Sequence, residues 1–442
     1  MNLFDRESPT RTPRFHGLEP ITMPLLRVAS RARGSRPVRI ATYSPGMVGL
    51  GHLRRNASIA QALRTSELHA AVVMIAEAWQ AGSLPMPAGV DCLTLPSLRK
   101  DSEDHYVARY VDIPDRELID LRRRAIRGAL EALDPDVLLV DHLPLGAAGE
   151  LTDTLESLRA RGRTRCVLGL RDVLQDRGVV RKLWADRAYL DATRRFYDAV
   201  WVYSDPAVCD LLREHRVLNG IAGRVRFTGY LDQRPRLEFA RSFADSLNGE
   251  RPTGRFALCL VGGGFDGATL IETFLRTELP PGMTGVVMAG PYLPDETRQR
   301  LRRIASERGD MQVIDFLPDA IGLVADAERI ISMGGYNTIC EILSLEKRAL
   351  IVPRISPGRE QWIRARRLAE MGLLDVLHPS RLAPDAIAAW LRREPAAPLR
   401  TRSRVDLGGL SRIPGLLAEL LDSPSRDPRS TDDSVDQPWP AS

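Results

Sequence analysis

Short apolar runs alternate with longer amphipathic stretches from about Val38 to Leu391, the rhythm of βαβ units built on a parallel sheet. In the first half the runs that read as strands are Val38–Ser44, Ala70–Ala76, Cys92–Leu95, Val137–Asp141, Cys166–Leu170, Val200–Tyr203 and Val225–Thr228. Asp115 to Leu133 has helical spacing and is stopped by Asp134-Pro135. The rhythm fades between Asp232 and Gly254, around Asn248-Gly249 and Pro252. It resumes with Phe256–Val261, Gly285–Ala289, Gln312–Phe316, Arg329–Ser332 and Ala349–Pro353. The pattern predicts an α/β protein of two Rossmann-like parallel-sheet domains. The expected organisation is a disordered tail over 1–36, an amino-terminal domain over 37–235 and a linker over 236–254. A carboxyl-terminal domain over 255–395 follows, then a helical segment over 396–421 packing back on the first domain, and a disordered tail over 422–442.

Composition narrows the class. With 442 residues and 44% hydrophobic positions, two or three domains can each bury a core. No apolar run approaches the ~20 residues that span a bilayer, and the Arg-, Pro- and Ser-rich start lacks the apolar centre of a secretory signal. Met23 is an alternative start. Cys92, Cys166, Cys209, Cys259 and Cys340 are dispersed without a Cys-x-x-Cys pair, which reads as buried thiols in a reducing cytoplasm rather than a disulfide or zinc scaffold. A net charge of +5 carried mostly by Arg, without a basic-aromatic stripe, argues against a nucleic-acid partner.

Three glycine-rich turns carry the chemistry. The first, Ser44-Pro45-Gly46-Met47-Val48-Gly49-Leu50-Gly51-His52, ends a strand and opens a helix, where small residues and unpaired N–H groups suit an anion. A plain tight turn is the competing reading. The second, Gly262-Gly263-Gly264-Phe265-Asp266-Gly267, satisfies G-x-G-x-x-G, but the next strand ends in Gly290-Pro291-Tyr292 without the acid that holds a nicotinamide ribose. A dehydrogenase is therefore disfavoured. The third, Gly334-Gly335-Tyr336-Asn337-Thr338, leads into a helix carrying Glu341. Asn337 and Thr338 suit a diphosphate, and Glu341 suits ribose hydroxyls one turn on; a capping box explains Thr338 and Glu341 but not the paired glycines.

Gly-Gly-Tyr-Asn-Thr-x-x-Glu, followed about twenty residues later by Glu360-Gln361, resembles the donor-site motif of GT-B glycosyltransferases. It is similar to the plant-type UDP-glycosyltransferases, to MurG, and most of all to bacterial MurG-like glycosyltransferases with a Gly-x-Gly-His-Leu-Arg-Arg turn. The likeness spans about Val38 to Leu391, including Leu170-Arg171-Asp172-Val173 and Tyr203-Ser204-Asp205. It implies two domains facing across a cleft. It also implies that Gly263, Gly264, Gly335, Asn337 and Thr338 hold the donor diphosphate, Glu341 the ribose, Phe316, Leu317 and Pro318 the base, and Glu360 and Gln361 the sugar. His52 takes the place of the base that activates the acceptor hydroxyl, with Asp141 orienting it. Tyr336 departs from the Trp of the plant pattern, and Glu360 from its Asp.

On this reading the chain transfers a sugar from a nucleoside-diphosphate sugar, UDP-linked by preference, to a small-molecule or lipid-linked hydroxyl. The reaction is expected to be inverting and to need no metal or other cofactor. A His oriented by a carboxylate is worth about 10²–10⁴-fold as a base. A lone His at a helix start also reads as a cap or packing residue, and His142, next to Asp141, is a rival base. Gly49, Gly51, Arg54 and Arg55 are the acceptor-side candidates, the two arginines as phosphate ligands or ordinary surface charge. Asp134-Pro135-Asp136 imitates the Asp-x-Asp of metal-dependent transferases but precedes a strand. Arg122, Arg123, Arg124 and Arg127 sit with Leu118, Leu121, Ile126 and Leu130 on one helix, either a membrane-surface face or a solvated one. The expected location is cytoplasmic, with peripheral contact at the inner membrane face left open. A nucleotide-sugar epimerase or hydrolase, and a non-catalytic donor-binding subunit, are the competing functions.

Overall fold

The computed structural model describes residues 36–45, 51–77, 86–101, 105–186, 188–244, 252–263, 266–317, 319–356, 358–394 and 399–424. Apart from Arg36, Asp422, Ser423 and Pro424, both expected tails lie outside the described residues, as do Gly49, Gly264 and Pro318. The amino-terminal strands are β1 (Arg39–Ser44), β2 (Ala71–Ala76), β3 (Val90–Thr94), β4 (Leu98–Lys100), β5 (Tyr106–Ala108), β6 (Val137–Asp141), β7 (Arg165–Arg171), β8 (Ala199–Tyr203) and β9 (Val225–Phe227). Seven of them form one sheet, in the order β3-β2-β1-β6-β7-β8-β9, with every neighbouring pair parallel. β4 and β5 make a separate antiparallel pair. The second half supplies β10 (Arg255–Leu260), β11 (Met283–Met288), β12 (Met311–Ile314), β13 (Arg329–Ser332), β14 (Ala349–Ile351) and β15 (Asp375–Val376). They form a second parallel sheet, β12-β11-β10-β13-β14-β15.

The central strands are apolar throughout because helices cover both faces of a parallel sheet; all five residues of β6 are buried. In each sheet the strand order reverses direction once, between β1 and β6 and between β10 and β13. At such a switch point the flanking loops part and leave a crevice at the carboxyl ends of the strands. The carboxyl ends of β1, β10 and β13, from which the glycine turns leave, all fall there.

The helix Gly51–Thr65 buries Leu53, Asn56, Ile59, Ala60 and Leu63, a stripe at helical spacing. The helix Gly409–Asp422 packs against it, and Ile413, Leu417 and Leu420 share one apolar cluster with Leu53 and Ile59. That cluster continues through Tyr230 and Leu231 to Leu258, Ile330 and Ile339 of the second sheet. The chain crosses between the domains twice, side by side: Tyr230 N–H donates to the Asp406 carbonyl at 2.8 Å and Gly409 N–H to the Tyr230 carbonyl at 3.0 Å, and Leu231 bridges Gly408.

Part of the segment expected as a linker is structured. Residues Arg234–Ala244 form a helix that packs on the helix Ile321–Asp326. Charge pairs fasten it: Arg236 Nε and Nη2 lie 2.8 and 2.9 Å from the two carboxylate oxygens of Asp319. The helix Asp115–Leu133 turns Leu118, Arg122, Ile126 and Leu130 inward. Arg122 is fully buried on Glu150, while Leu121 is 50% exposed. Arg123, Arg124 and Arg127 each face an acid, Asp153, Asp120 and Glu131. No helix among the described residues is long and apolar enough to cross a membrane.

Candidate active site

His52 is the second residue of its helix, and Asp141 closes β6, so the switch point in the amino-terminal sheet brings them together. His52 Nδ1 lies 2.7 Å from Asp141 Oδ2, with the imidazole 17% exposed and the carboxylate 1% exposed. Nδ1 donates that hydrogen bond, leaving Nε2 as the free base. Burial opposes ionisation of Asp141, but Arg55 and then His52 outweigh it and hold the carboxyl far below the usual range. Burial lowers the His52 imidazole below its ordinary value of 6.5, and Arg55 and Arg171 add to the effect against the pull of Asp141. His52 is therefore neutral near pH 7. His142 is close, its ring centroid 5.9 Å from that of His52. Its Nε2, however, faces Arg171 Nη2 at 3.3 Å, and burial followed by Arg171 pushes the imidazole well below the usual value. Burial and the nearby Arg55 and Arg364 bring Arg171 down to about 10.

The glycine turn after β13 faces this pair. Gly334 needs its positive φ of 74° to turn the chain back toward the cleft. Asn337, in the first turn of the helix Tyr336–Ser344, donates from Nδ2 to the Gly51 carbonyl at 2.6 Å. A Cβ on Gly51 would come 3.0 Å from that nitrogen, so a larger residue would push Asn337 back by a few tenths of an ångström. Thr338 is half-buried beside Asn337. Gly263 lies in the turn after β10, its carbonyl accepting from Tyr292 N–H at 2.9 Å. Phe316 and Leu317 are half-buried after β12, and Arg54 reaches the Leu317 carbonyl at 3.5 Å.

The acids are already engaged. Glu341 Oε1 accepts from Arg236 Nη2 at 2.5 Å, and Arg236 Nη1 also reaches Gln233 Oε1 at 2.6 Å. Glu360 pairs with Arg354 and accepts from Gln175 Nε2 at 3.2 Å across the cleft. Despite burial, Arg354 holds its carboxyl below the ordinary value. Gln361 Oε1 accepts from Arg354 N–H at 2.9 Å. Arg55 turns inward onto both oxygens of Asp141 at 2.7 and 2.6 Å, with only 2% of its side chain exposed. The acids of Asp134-Pro135-Asp136 lie at the other end of β6, where Asp136 Oδ2 accepts from Arg39 N–H at 2.8 Å.

Arg364, Tyr230 and Arg236 take part here without a local mark in the sequence. Arg364 Nε and Nη2 meet Asp172 at 2.5 and 2.6 Å, both side chains fully buried, and Arg364 Nη1 donates to the Gly334 carbonyl at 3.1 Å. The Tyr230 hydroxyl donates to the same Asp172 at 2.9 Å. Tyr336 inserts into the amino-terminal domain, its hydroxyl donating to the Tyr203 carbonyl at 2.7 Å. Arg236 reaches the site from the segment expected as a linker.

Two parallel-sheet domains whose switch-point loops meet constitute the GT-B architecture. The glycotransferase of kitacinnamycin has this fold, with a TM-score of 0.55 at 16% identity over 88% of this chain and 100% of that one. Acinetobacter baumannii MurG has it too, with a TM-score of 0.51 at 13% identity over 87% of this chain and 100% of that one. In sequence, residues 258–403 match the glycosyltransferase family 28 C-terminal domain. The UDP-N-acetylglucosamine–N-acetylmuramyl-(pentapeptide) pyrophosphoryl-undecaprenol N-acetylglucosamine transferase of Burkholderia thailandensis is 28% identical over 198 residues, 43% of this chain and 54% of that protein. The chain thus spans about half the length of the curated relatives it matches. Residues 258–403 are thus similar to a glycosyltransferase family 28 C-terminal domain, within a GT-B fold that the chain shares with MurG.

Proposed function

We propose that the chain is an inverting, metal-independent glycosyltransferase that moves a sugar from a nucleoside diphosphate to an acceptor hydroxyl. The observation that carries this reading is the contact between the His52 helix and the family 28 donor loop, Asn337 Nδ2 to the Gly51 carbonyl at 2.6 Å. In the reaction the acceptor O–H gives its proton to His52 Nε2 as its oxygen attacks the anomeric carbon. The bond from that carbon to the diphosphate breaks, and its electron pair leaves with the nucleoside diphosphate. Asp141 stabilises the imidazolium that forms. The helix N-terminus at Tyr336–Ser344, with Asn337 and Thr338, meets the leaving charge. Glu341 keeps Oε2 for the ribose while Arg236 holds Oε1. Because the named relatives use UDP-N-acetylglucosamine, a UDP-sugar is the donor we favour, and a small-molecule or lipid-linked alcohol the acceptor. Arg54 and the Gly49–Gly51 turn are the acceptor-side groups.

The test is a screen of UDP-, GDP-, ADP- and dTDP-sugars for thermal stabilisation. A ligand at 100 times its Kd adds about 2.7 kcal/mol. The stabilising donor is then offered to a panel of alcohols, and the anomeric configuration of the product is read by NMR. His52→Ala should keep the stabilisation and lose transfer. Full turnover by His52→Ala, or retention of configuration, refutes the mechanism.

A further inference from the structure

Arg55 follows His52 by one helical turn, and its guanidinium is buried between groups from both domains. Nη2 straddles the Asp141 carboxylate, 2.7 Å from Oδ1 and 2.6 Å from Oδ2, and lies 2.9 Å from His52 Nδ1. Nδ1–H and Nη2–H thus converge as donors on one carboxylate. The terminal torsion of an Asp is broad and roughly two-fold, so a carboxylate with a single partner can present either oxygen. The second hold by Arg55 fixes the plane in which the carboxylate meets the imidazole.

The far side of Arg55 rests on aromatic faces. Its Cζ lies 5.4 Å from the ring centroid of Tyr336 and 6.0 Å from that of Tyr203. Tyr336 belongs to the donor loop of the other domain. It is wedged in place by Arg364, 5.8 Å from its ring, by stacking on Tyr230 at 6.0 Å, and by its hydrogen bond to Tyr203. A cation over a tyrosine face is held electrostatically, and more strongly when water is excluded. The donor-loop tyrosine therefore forms one wall of the slot that holds Arg55.

We propose that Arg55 is a positioning residue that aims Asp141 at His52 and links that aim to the seating of Tyr336, so that the His–Asp pair is set only when the two domains are docked. This deepens the reading of His52 as the base, yet its test needs no substrate. Four groups face the His52 ring: Asp141 from β6, His142 from the loop after it, Arg171 from the end of β7, and Arg55 from its own helix.

The experiment is a pH titration of the full chain with isotope-labelled histidine, reading the tautomer and the titration midpoint of His52 by NMR. In the wild type the neutral ring carries its proton on Nδ1 and titrates below 6.5. Arg55→Gln should move the tautomer toward Nε2–H and raise the midpoint, because a neighbouring cation is gone. Arg55→Lys keeps the charge but loses the planar guanidinium that rests on the tyrosine faces, so the midpoint should stay low while the tautomer is released. This variant also carries the test if the Gln variant fails to fold. Tyr336→Leu should release the tautomer, and Tyr336→Trp, which restores an aromatic face, should restore it. Signals of His215 and His378, away from the pair, stay in place if the role is positioning; their moving together with His52 would overturn it. So would a wild-type His52 signal in Arg55→Gln or in Tyr336→Leu, or a locked tautomer in Arg55→Lys. A chain that transfers no sugar but gives the expected spectra defeats the transferase reading alone; transfer with unmoved spectra defeats the Arg55 assignment alone.

Discussion

Replacing Arg364 by Met removes a charge from the boundary between the domains while keeping an unbranched apolar stem. In the wild type Asp172 has four hydrogen-bonding contacts: two from Arg364 at 2.5 and 2.6 Å, the Tyr230 hydroxyl at 2.9 Å and the Val173 N–H at 2.7 Å. Arg364→Met leaves only the last two on a fully buried carboxylate and strips the Gly334 carbonyl of its donor. Breaking one side of such a pair costs about 3–5 kcal/mol. Asp172 lies in the first domain and Arg364 in the second, so the loss falls on docking rather than on either sheet. That corresponds to a docking equilibrium weaker by roughly a hundred- to a few-thousand-fold. Small-angle scattering should show a larger radius of gyration, and urea unfolding should split into two transitions. The pH response should also change sign. Arg364 outweighs burial and holds Asp172 below its ordinary value of 3.8, so its contribution in the wild type is complete above that value and fades as pH falls. Without Arg364, burial pushes the carboxyl upward, and acid should restore docking. Asp172→Asn combined with Arg364→Met should recover part of the loss. A single variant with the wild-type radius and the wild-type pH response refutes the reasoning.

The dependence of kcat/KM on pH should show an acid limb below 6.5, since activity is lost only as His52 takes up a proton that burial, Arg55 and Arg171 oppose; a limb above 6.5 contradicts the assignment. Glu341→Gln should weaken donor binding by about ten- to a hundred-fold, the worth of one hydrogen bond to a charged group, which calorimetry can measure. Arg122→Met leaves Glu150 and Glu77 facing each other in the first domain without their shared cation. The cost is about 3–5 kcal/mol, seen as a fall of roughly 10 °C in Tm.

The strands were legible because a parallel strand covered on both faces has an apolar centre; β6 and β13 run over the residues the pattern picked out. The short strands β4, β5 and β15 have two or three residues each, too few for a period to show. The helix Arg234–Ala244 lies where the strand rhythm fades, and Arg236, its buried anchor on Asp319, carries no apolar signal. The three glycine turns could be located from their residues alone, since each ends a strand and opens toward a helix. What the side chains do there could not. Arg55 at a helix start looks like surface charge until Asp141, 86 positions on, is folded against it. Asp172 and Arg364 are 192 positions apart, and no periodicity links them.

The two chain crossings beside Tyr230 and Gly408 lie next to each other, hydrogen-bonded like a short ribbon. A pair of tethers side by side resists twisting and sliding but permits folding along the line they share, as two knuckles on one pin do. Any swing of one half over the other is thereby confined to a single arc, and the farther a loop stands from that pin, the longer the path it sweeps.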